Sequence, residues 1–344
     1  MEQTCTKEEE MKMSIKKRIR VIGLVVFLVA IILSICPPGA FAASATQELV
    51  PYLTPPAGGG AYILGAGQIS VANKYMPGGV KFVQEATTGT MEEVKKLQRA
   101  EKEKKDALAT FGTVDGNKAY KGLNEYANNP FPGLRAIFMG QYVDEYLVVP
   151  ANSPIKSFAD VKGKRIAIGG PGSSVSITAL LTLSYYGITP TDFKYYYYVY
   201  KETVEGIRDG SLDGGFLAGG YPMASYVELS TTHNVRIVPV DEEIGKKLVS
   251  ENPGYYQSVV KAGIYKGHEK DTSIVGFTGS VWTHAAVRDD LIYNFLKTLF
   301  AHKEEYYTIH RDAKALTLET ATKTIAVPLH PGAEKCLKEL GAIK

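Results

Sequence analysis

Two strand–loop–helix patterns, far apart in the chain, constrain the fold more than any other feature. In the first, the apolar run "VKFV" (80–83) is followed by "TTGT" (87–90) and a helical pattern. In the second, "RIAI" (165–168) is followed by "GGPGSS" (169–174) and another helical pattern. Strands that alternate with helices are typical of α/β folds. We therefore predict an α/β architecture.

The segments that follow these two units share a layout. Asp106 and Asp213 each precede a short strand of small and apolar residues that ends in glycine, "ALATFG" and "GGFLAG". The spacing from helix to aspartate differs by three residues between the two copies, so the likeness is one of layout and not a strict repeat. We predict two related α/β lobes.

Residues 1–45 have the organisation of a secretory signal peptide. A basic stretch (12–20) precedes an apolar run (21–35), and small residues with A-x-A patterns follow at 39–45. A permanent membrane anchor is disfavoured, because roughly 15 apolar residues fall short of the ~20 that span a bilayer. A lipid anchor at Cys36 is a further alternative, but Ile35 is bulky where such signals have a small residue. We predict cleavage and a periplasmic or extracytoplasmic protein.

Composition excludes several classes of function. Removal of residues 1–45 would leave Cys336 as the only cysteine, which can form neither an internal disulfide nor a zinc site by itself. The formal net charge of +3 falls to +1, since residues 1–45 hold six Lys/Arg and four Glu. No basic patch indicates nucleic-acid binding. We predict no metal, no cofactor and no nucleic-acid partner.

The two glycine loops indicate an anion site. The first N–H groups of a helix lack partners and carry partial positive charge, so they bind anions, and glycine allows close approach. "GGPGSSV" lacks the Lys-Ser/Thr of a phosphate loop and the third glycine of a dinucleotide fingerprint. Neither loop has an arginine or lysine, so a carboxylate fits better than a phosphate. The alternative is that Ser173 and Thr88 only cap their helices.

Enzyme patterns are missing from the same residues. The sequence around Ser173 does not give G-x-S-x-G, and the histidines are scattered without H-E-x-x-H. We therefore predict a binding protein and not an enzyme. The tyrosine run "KYYYYVY" (194–200) predicts a strand buried on one or both faces. Tyr62 and Tyr221 follow glycines in predicted loops, and we expect both to wall a pocket.

Four stretches of the chain carry a resemblance to a known family. They are "IAIGGPGSSVSITALLTLSYYGITPTDFKYYYY", "DGSLDGGFLAGGYPMASYVELSTTHNVRIVPVD", "VSENPGYY" and "VPLHPGAEKCLKELG". Together they resemble the substrate-binding proteins of tripartite ATP-independent periplasmic (TRAP) transporters, of the TAXI type. The resemblance runs from about residue 58 to the C-terminus and is strongest over 146–260.

The resemblance implies a periplasmic-binding-protein fold of type II, in which two α/β lobes joined by crossing strands close over a ligand. We expect lobe 1 at 46–148 and 276–344, lobe 2 at 149–275, and crossing strands at 145–150 and 275–283. The implied ligand is a small organic anion, such as glutamate or a related dicarboxylate. The implied partners are the membrane permease subunits of a TRAP transporter, which an ion gradient drives, and we expect a monomer. A sensor module with the same fold is the alternative.

The family's binding motifs carry over to six segments of this chain. The P-G-S-G motif corresponds to "PGSS", the T-G-G-S loop to "TGT", and the Q-S-D motif to part of "FGTVD". The implied ligand-binding residues are Gly59, Gly60, Tyr62, Thr88, Gly89, Thr90, Thr113, Tyr142, Pro171, Gly172, Ser173, Ser174, Gly220, Tyr221 and Pro222.

Overall fold

The computed structural model describes residues 47–344, except Gly58 and Tyr221, and the single residue Met13. The predicted signal peptide and the predicted site residue Tyr221 therefore lie outside the described residues. Residues 48–344 form one compact unit. No helix among the described residues is long and apolar enough to cross a membrane.

Ten strands within residues 47–344 form one sheet, and helices alternate with most of them. The strands are β1 (Glu48–Thr54), β2 (Val80–Ala86), β3 (Leu108–Gly112), β4 (Leu134–Pro150), β5 (Arg165–Ala167), β6 (Lys194–Tyr196), β7 (Gly214–Gly219), β8 (Val235–Val238), β9 (Tyr255–Val260) and β10 (Thr272–His284). The helices are α1 (Gly60–Tyr75), α2 (Thr90–Glu103), α3 (Thr113–Lys121), α4 (Ser174–Tyr185), α5 (Tyr200–Asp209), α6 (Ala224–Thr232), α7 (Glu242–Glu251), α8 (Asp289–Ala301), α9 (Lys303–Ile309) and α10 (Pro331–Glu339). The predicted α/β class is confirmed.

Two long antiparallel strands, β4 and β10, join the two ends of the sheet. The strand order is β2-β1-β3-β10-β4-β7-β5-β6, with β8 also paired to β4 and β9 to β10. Parallel pairs lie at both ends: β1 with β2 and β3, and β5 with β6 and β7. Two α/β halves linked through crossing strands are the predicted type II periplasmic-binding-protein architecture. The lobe boundaries stay predictions, because β4 and β10 run through both of them without a break.

Buried apolar residues pack into clusters that draw on different parts of the chain. One large cluster uses residues from 50–138 and 281–337. Another uses Val114 and residues from 143–277. Burial of these side chains drives folding, since each apolar side chain removed from water contributes roughly 1.5–3 kcal/mol. Each half of the sheet thus has its own hydrophobic cluster.

Helix α8 shows how the sequence specifies one of these cores. Asp289 and Asp290 occupy its first turn, where negative charge is favourable at the helix N-terminus. Leu291, Phe295 and Leu299 repeat every four residues and are buried on one face. The Phe295 ring lies 5.1 Å from the Phe82 ring and 6.1 Å from the Tyr52 ring, measured between centroids. The apolar stripe of α8 therefore packs on β1 and β2.

The predicted burial of the tyrosine run is wrong. Only Lys194–Tyr196 forms a strand, and it lies at the end of the sheet, so one of its sides has no neighbouring strand. Tyr195 is 41% exposed and Tyr197 46% exposed, and their rings pack edge to face on each other, 5.4 Å apart. A strand at the edge of a sheet can leave its side chains exposed to solvent. The local sequence does not show that this strand lies at the edge.

We predict that Phe295→Ala lowers the free energy of unfolding by about 3–5 kcal/mol, because it opens a cavity among fully buried rings. Urea unfolding followed by circular dichroism measures this change. The control is Val227→Ala, at an exposed position of α6, which should stay within about 0.5 kcal/mol of the wild type. Equal losses in the two variants would contradict the packing described for α8.

Candidate functional site

The two glycine loops lie against each other at the starts of α2 and α4. Gly89 has a φ of +143°, and a Cβ built there would be 3.3 Å from the Cα of Ser173. The hydroxyls of Thr90 and Ser174 are 3.1 Å apart, within hydrogen-bond distance. The backbone N–H of Met91 donates to the Gly172 carbonyl at 3.4 Å. Two helix starts separated by 84 positions in sequence thus meet at one place.

The Ser174 hydroxyl is the centre of this contact. It accepts a hydrogen bond from the Gly112 backbone N–H at 3.2 Å and donates one to the Asp115 carboxylate. With the Thr90 contact, one oxygen joins the starts of α2, α3 and α4. Because a buried polar group that loses its partners is costly, Ser174 fixes the relative position of these three helices.

Asp115 carries a perturbed carboxyl group beneath this contact. It is buried in the first turn of α3, and burial raises its pKa from 3.8 to about 6, while the Lys118 charge and the Ser174 hydrogen bond act in the opposite direction. Two further carboxyls are buried near it. Burial and the charge of Asp115 raise the pKa of Glu93 and of Glu145 well above 4.5. The site therefore rests on a cluster of acidic side chains.

A cavity of about 90 Å³ is bordered by the meeting loops and the crossing strands. Its walls come from the loops before α1, α2 and α4, from β4, β7 and β10, and from the start of α5. The lining residues are Pro55, Pro56, Gly59, Gly60, Ala61, Thr88, Gly89, Thr90, Phe111, Gly112, Gln141, Val143, Gly169, Gly170, Ser173, Ser174, Val175, Tyr198, Val199, Tyr200, Phe216, Ala218, Gly219, Gly220 and Phe277. None of these described residues is a lysine, arginine or histidine.

Eight of the sequence-predicted site residues line this cavity. They are Gly59, Gly60, Thr88, Gly89, Thr90, Ser173, Ser174 and Gly220. They come from four separate segments, each at or next to the start of a helix or the end of a strand. The structure therefore brings together most of the glycine, serine and threonine positions implied by the family resemblance.

Six other predicted residues lie outside the cavity lining. Thr113 is fully buried, and its hydroxyl is bonded to that of Ser280 at 2.7 Å, which ties α3 to β10. Tyr142 is 38% exposed and packs edge to face on Tyr256. The remaining four are Tyr62, Pro171, Gly172 and Pro222.

The two helix starts differ in which N–H groups are available. At α2, the Thr88 N–H and hydroxyl both donate to the Glu92 carboxylate at 2.7 Å, and these bonds, with Lys96, lower the pKa of Glu92 to about 2. The protein's own carboxylate therefore satisfies Thr88. At α4, the Ser173 hydroxyl caps the Ser176 N–H. Among the described residues, the N–H groups of Ser174 and Val175 have no acceptor.

Several residues of the cavity were missed from the sequence. Gln141 and Val143 lie on β4, Phe277 on β10, and Phe216 and Ala218 on β7. Strand residues of this kind carry no local motif, because any apolar strand position could face a core instead. The sequence pattern assigned Tyr200 to the end of a predicted strand, whereas it begins α5 and lines the cavity.

A cavity between two helix starts, on an α/β scaffold with crossing strands, is typical of a small-molecule binding site. A model of the NMT1-like family matches residues 52–341, and the chain therefore belongs to this family. The TAXI type is a finer assignment than this match and stays a prediction.

Several solved structures are similar to the chain. The periplasmic aliphatic sulphonate binding protein SsuA from Escherichia coli matches with a TM-score of 0.46 and 17% identity, over 86% of this chain and 79% of that one. The alkanesulfonate-binding protein SsuA from Xanthomonas axonopodis pv. citri, bound to MOPS, matches with 0.46 and 17%, over 85% and 83%. A TctC solute binding protein from Polaromonas matches with 0.46 and 15%, over 78% and 88%.

We predict that Ser174→Ala lowers the free energy of unfolding by about 1–3 kcal/mol, because it leaves the buried Asp115 carboxyl without its donor. Urea unfolding gives the value. Ser184→Ala is the matched control in the same helix, since the exposed Ser184 hydroxyl donates only to the Leu181 carbonyl. A loss no larger than that of the control would show that the Ser174 hydroxyl does not hold the helix starts together.

We also predict that Asp115 makes the protein less stable as the pH rises from about 4 to 6. Its pKa is higher in the folded protein than in the unfolded chain, so ionisation in this range favours unfolding, by about 3 kcal/mol for a shift of about two units. Asp115→Asn should remove this part of the pH dependence. Urea unfolding at several pH values from 4 to 7 tests it, with Glu319→Gln at the surface as control. Parallel profiles for wild type and Asp115→Asn would contradict the burial argument.

Proposed function

We propose that this protein is an extracytoplasmic solute receptor that captures a small carboxylate in the cavity between the two glycine loops. The observation that carries the proposal is the start of α4 at the cavity wall. There, within the part of the chain that the structure describes, the N–H groups of Ser174 and Val175 are without acceptors, and both residues line the cavity. A helix start with open N–H groups favours a negatively charged ligand.

The wall supplies further polar contacts for such a ligand. Gln141 offers a side-chain amide, and Tyr198 and Tyr200 offer hydroxyls, while Val143, Phe216 and Phe277 provide apolar surface. A mostly apolar pocket with a few convergent polar groups is the usual form of a small-ligand site. At the Thr88 loop, the N–H and hydroxyl of Thr88 are bonded to Glu92, and the Gly89 N–H is bonded to Thr87, so these three donors are not free for a ligand.

The size of the cavity favours a short ligand. A water needs roughly 10–15 Å³ of the same kind of volume, so about 90 Å³ corresponds to about six to nine waters. This is comparable with the non-hydrogen atoms of a four- or five-carbon dicarboxylate. Glutamate and related dicarboxylates, which the TAXI resemblance implies, are of this size.

Contact between the loops gives the receptor its mechanism. A ligand that touches both loops stabilises the closed arrangement more than an open one, and it shifts the population by that difference in affinity. Delivery to the membrane permease of a TRAP transporter, after export through a cleaved signal peptide, follows from the family resemblance. In this role the ligand is carried without chemical change.

The proposal is tested in two steps: the ligand is identified, and a larger side chain is then introduced into the cavity wall. Mass spectrometry of the purified protein should find a small carboxylate. Calorimetry with glutamate, 2-oxoglutarate and succinate should find saturable binding for at least one of them. Trp282, the only tryptophan in the chain, stacks on the cavity residue Phe111 at 5.3 Å between ring centroids, so its fluorescence offers a second signal.

We predict that Ala61→Phe weakens binding of that carboxylate at least tenfold, because Ala61 lines the cavity in the first turn of α1. Ala224→Phe is the matched control, in the first turn of α6 at an exposed position. The same calorimetric titration measures both variants. Recovery of a neutral or cationic ligand, or equal affinity in the two variants, would refute the proposed function.

A further inference from the structure

Glu145 lies on the cavity side of the sheet. It follows Gln141 and Val143 at alternate positions of β4, and alternate residues of a strand share a face. Both of those residues line the cavity. In the neighbouring strand β7 the residue opposite Glu145 is Ala218, which also lines the cavity. The Glu145 side chain therefore lies on the same face as the cavity floor.

The cavity residue Tyr200 interacts electrostatically with Glu145. Burial, and secondly the charge of Glu145, raise the pKa of Tyr200 to about 12. Tyr200 begins α5 and lines the cavity. This electrostatic interaction agrees with the strand geometry, which places Glu145 on the cavity face of β4.

This carboxyl is buried without adequate partners. Glu145 is 6% exposed, and its Oε2 atom has no hydrogen-bond partner among the described residues. Leaving such an acceptor unsatisfied costs about 1–3 kcal/mol or more, so a native protein seldom keeps one without a role. No cationic residue lines the described cavity wall, and the nearby Asp115 adds further negative potential. A group that donates hydrogen bonds and carries positive charge would satisfy this position.

We propose that Glu145 recognises an ammonium group of the ligand, so that the cavity prefers an amino-carboxylate to the same carboxylate without the amine. This inference rests on the proposed function, which places a carboxylate at the start of α4. The ligand would then lie with its carboxylate at the Ser174 and Val175 N–H groups and its ammonium at Glu145. A charge-assisted hydrogen bond of this kind is stronger than a neutral one.

The test compares pairs of probes that differ only in the amine: glutamate with glutarate, and aspartate with succinate. We expect the wild-type protein to bind the amine-bearing member of a pair at least tenfold more tightly in calorimetry. Glu145→Gln should remove most of this preference and leave the affinity for glutarate or succinate unchanged or higher. Asp144→Asn is the matched control, because Asp144 is equally buried on the same strand but faces the other side and bonds to Tyr256.

A second readout separates recognition from a structural role. Burial raises the pKa of the Glu145 carboxyl in the free protein, and an ammonium partner favours its ionised form. Binding of glutamate at pH 6 should therefore release up to one proton, measured by calorimetry in buffers of different ionisation enthalpy. Binding in Glu145→Gln should release fewer protons. Equal release in wild type and variant would overturn the proposal.

The possible failures are distinguishable. If amine-bearing and amine-free probes bind the wild type equally, the ammonium site is wrong while the carboxylate receptor stands. If Glu145→Gln weakens both members of a pair equally, the carboxyl serves the carboxylate end or the fold, and the inference is again wrong. If no carboxylate binds at all, the proposed function fails and the inference fails with it. The comparison of amine-bearing and amine-free probes uses only the wild-type protein. It therefore tests the ammonium preference even if Glu145→Gln does not fold.

Discussion

The antiparallel pairing of β4 with β10 is the interaction on which the rest of the structure depends. Their register runs from Val275 opposite Glu145 to His284 opposite Leu134, with two irregularities near Ser280 and Trp282. Each strand also pairs outward, β10 with β3 and β4 with β7. Backbone hydrogen bonds thus connect the two parallel ends of the sheet without a flexible linker. Any movement of one half relative to the other must bend these two strands.

The position of the cavity follows from this pairing. The residues Gln141, Val143 and Phe277 come from the ladder itself, so the floor of the site is rigid sheet, while the walls are loops before helices. Loops on a rigid scaffold are where proteins place their binding groups. Ser174 and Thr90 hold the two walls together above that floor. Closure of the walls over a solute is therefore limited to the bending that β4 and β10 allow.

The sequence was informative where a local pattern carries a physical requirement. Strand–loop–helix units predicted the α/β class. The glycine and hydroxyl residues of "TTGT" and "GGPGSS", which are typical of helix starts, predicted an anion site at these two loops, and residues of both loops line the cavity. Two features of the structure could not be predicted from the sequence. The burial of the 194–200 tyrosines depends on β6 being an edge strand, which only the assembled sheet reveals. Likewise, the Thr88 N–H donates to the Glu92 carboxylate across the first turn of α2. A threonine and a glutamate four positions apart in the sequence do not by themselves predict this hydrogen bond.

The electrostatic potential differs between two sides of the cavity. At one wall, the first turn of α4 presents N–H groups and the positive end of a helix dipole. Close to the cavity, but not among its lining residues, the carboxyls of Asp115 and Glu145 are buried where water screens them little. Burial of like charges together is costly, and both groups respond with a raised pKa. A ligand with opposite charges at its two ends can satisfy both regions at once. A dicarboxylate without an amine would bring its second carboxylate towards these buried carboxyls with no compensating positive charge, so the same feature that orients an amino-carboxylate disfavours it.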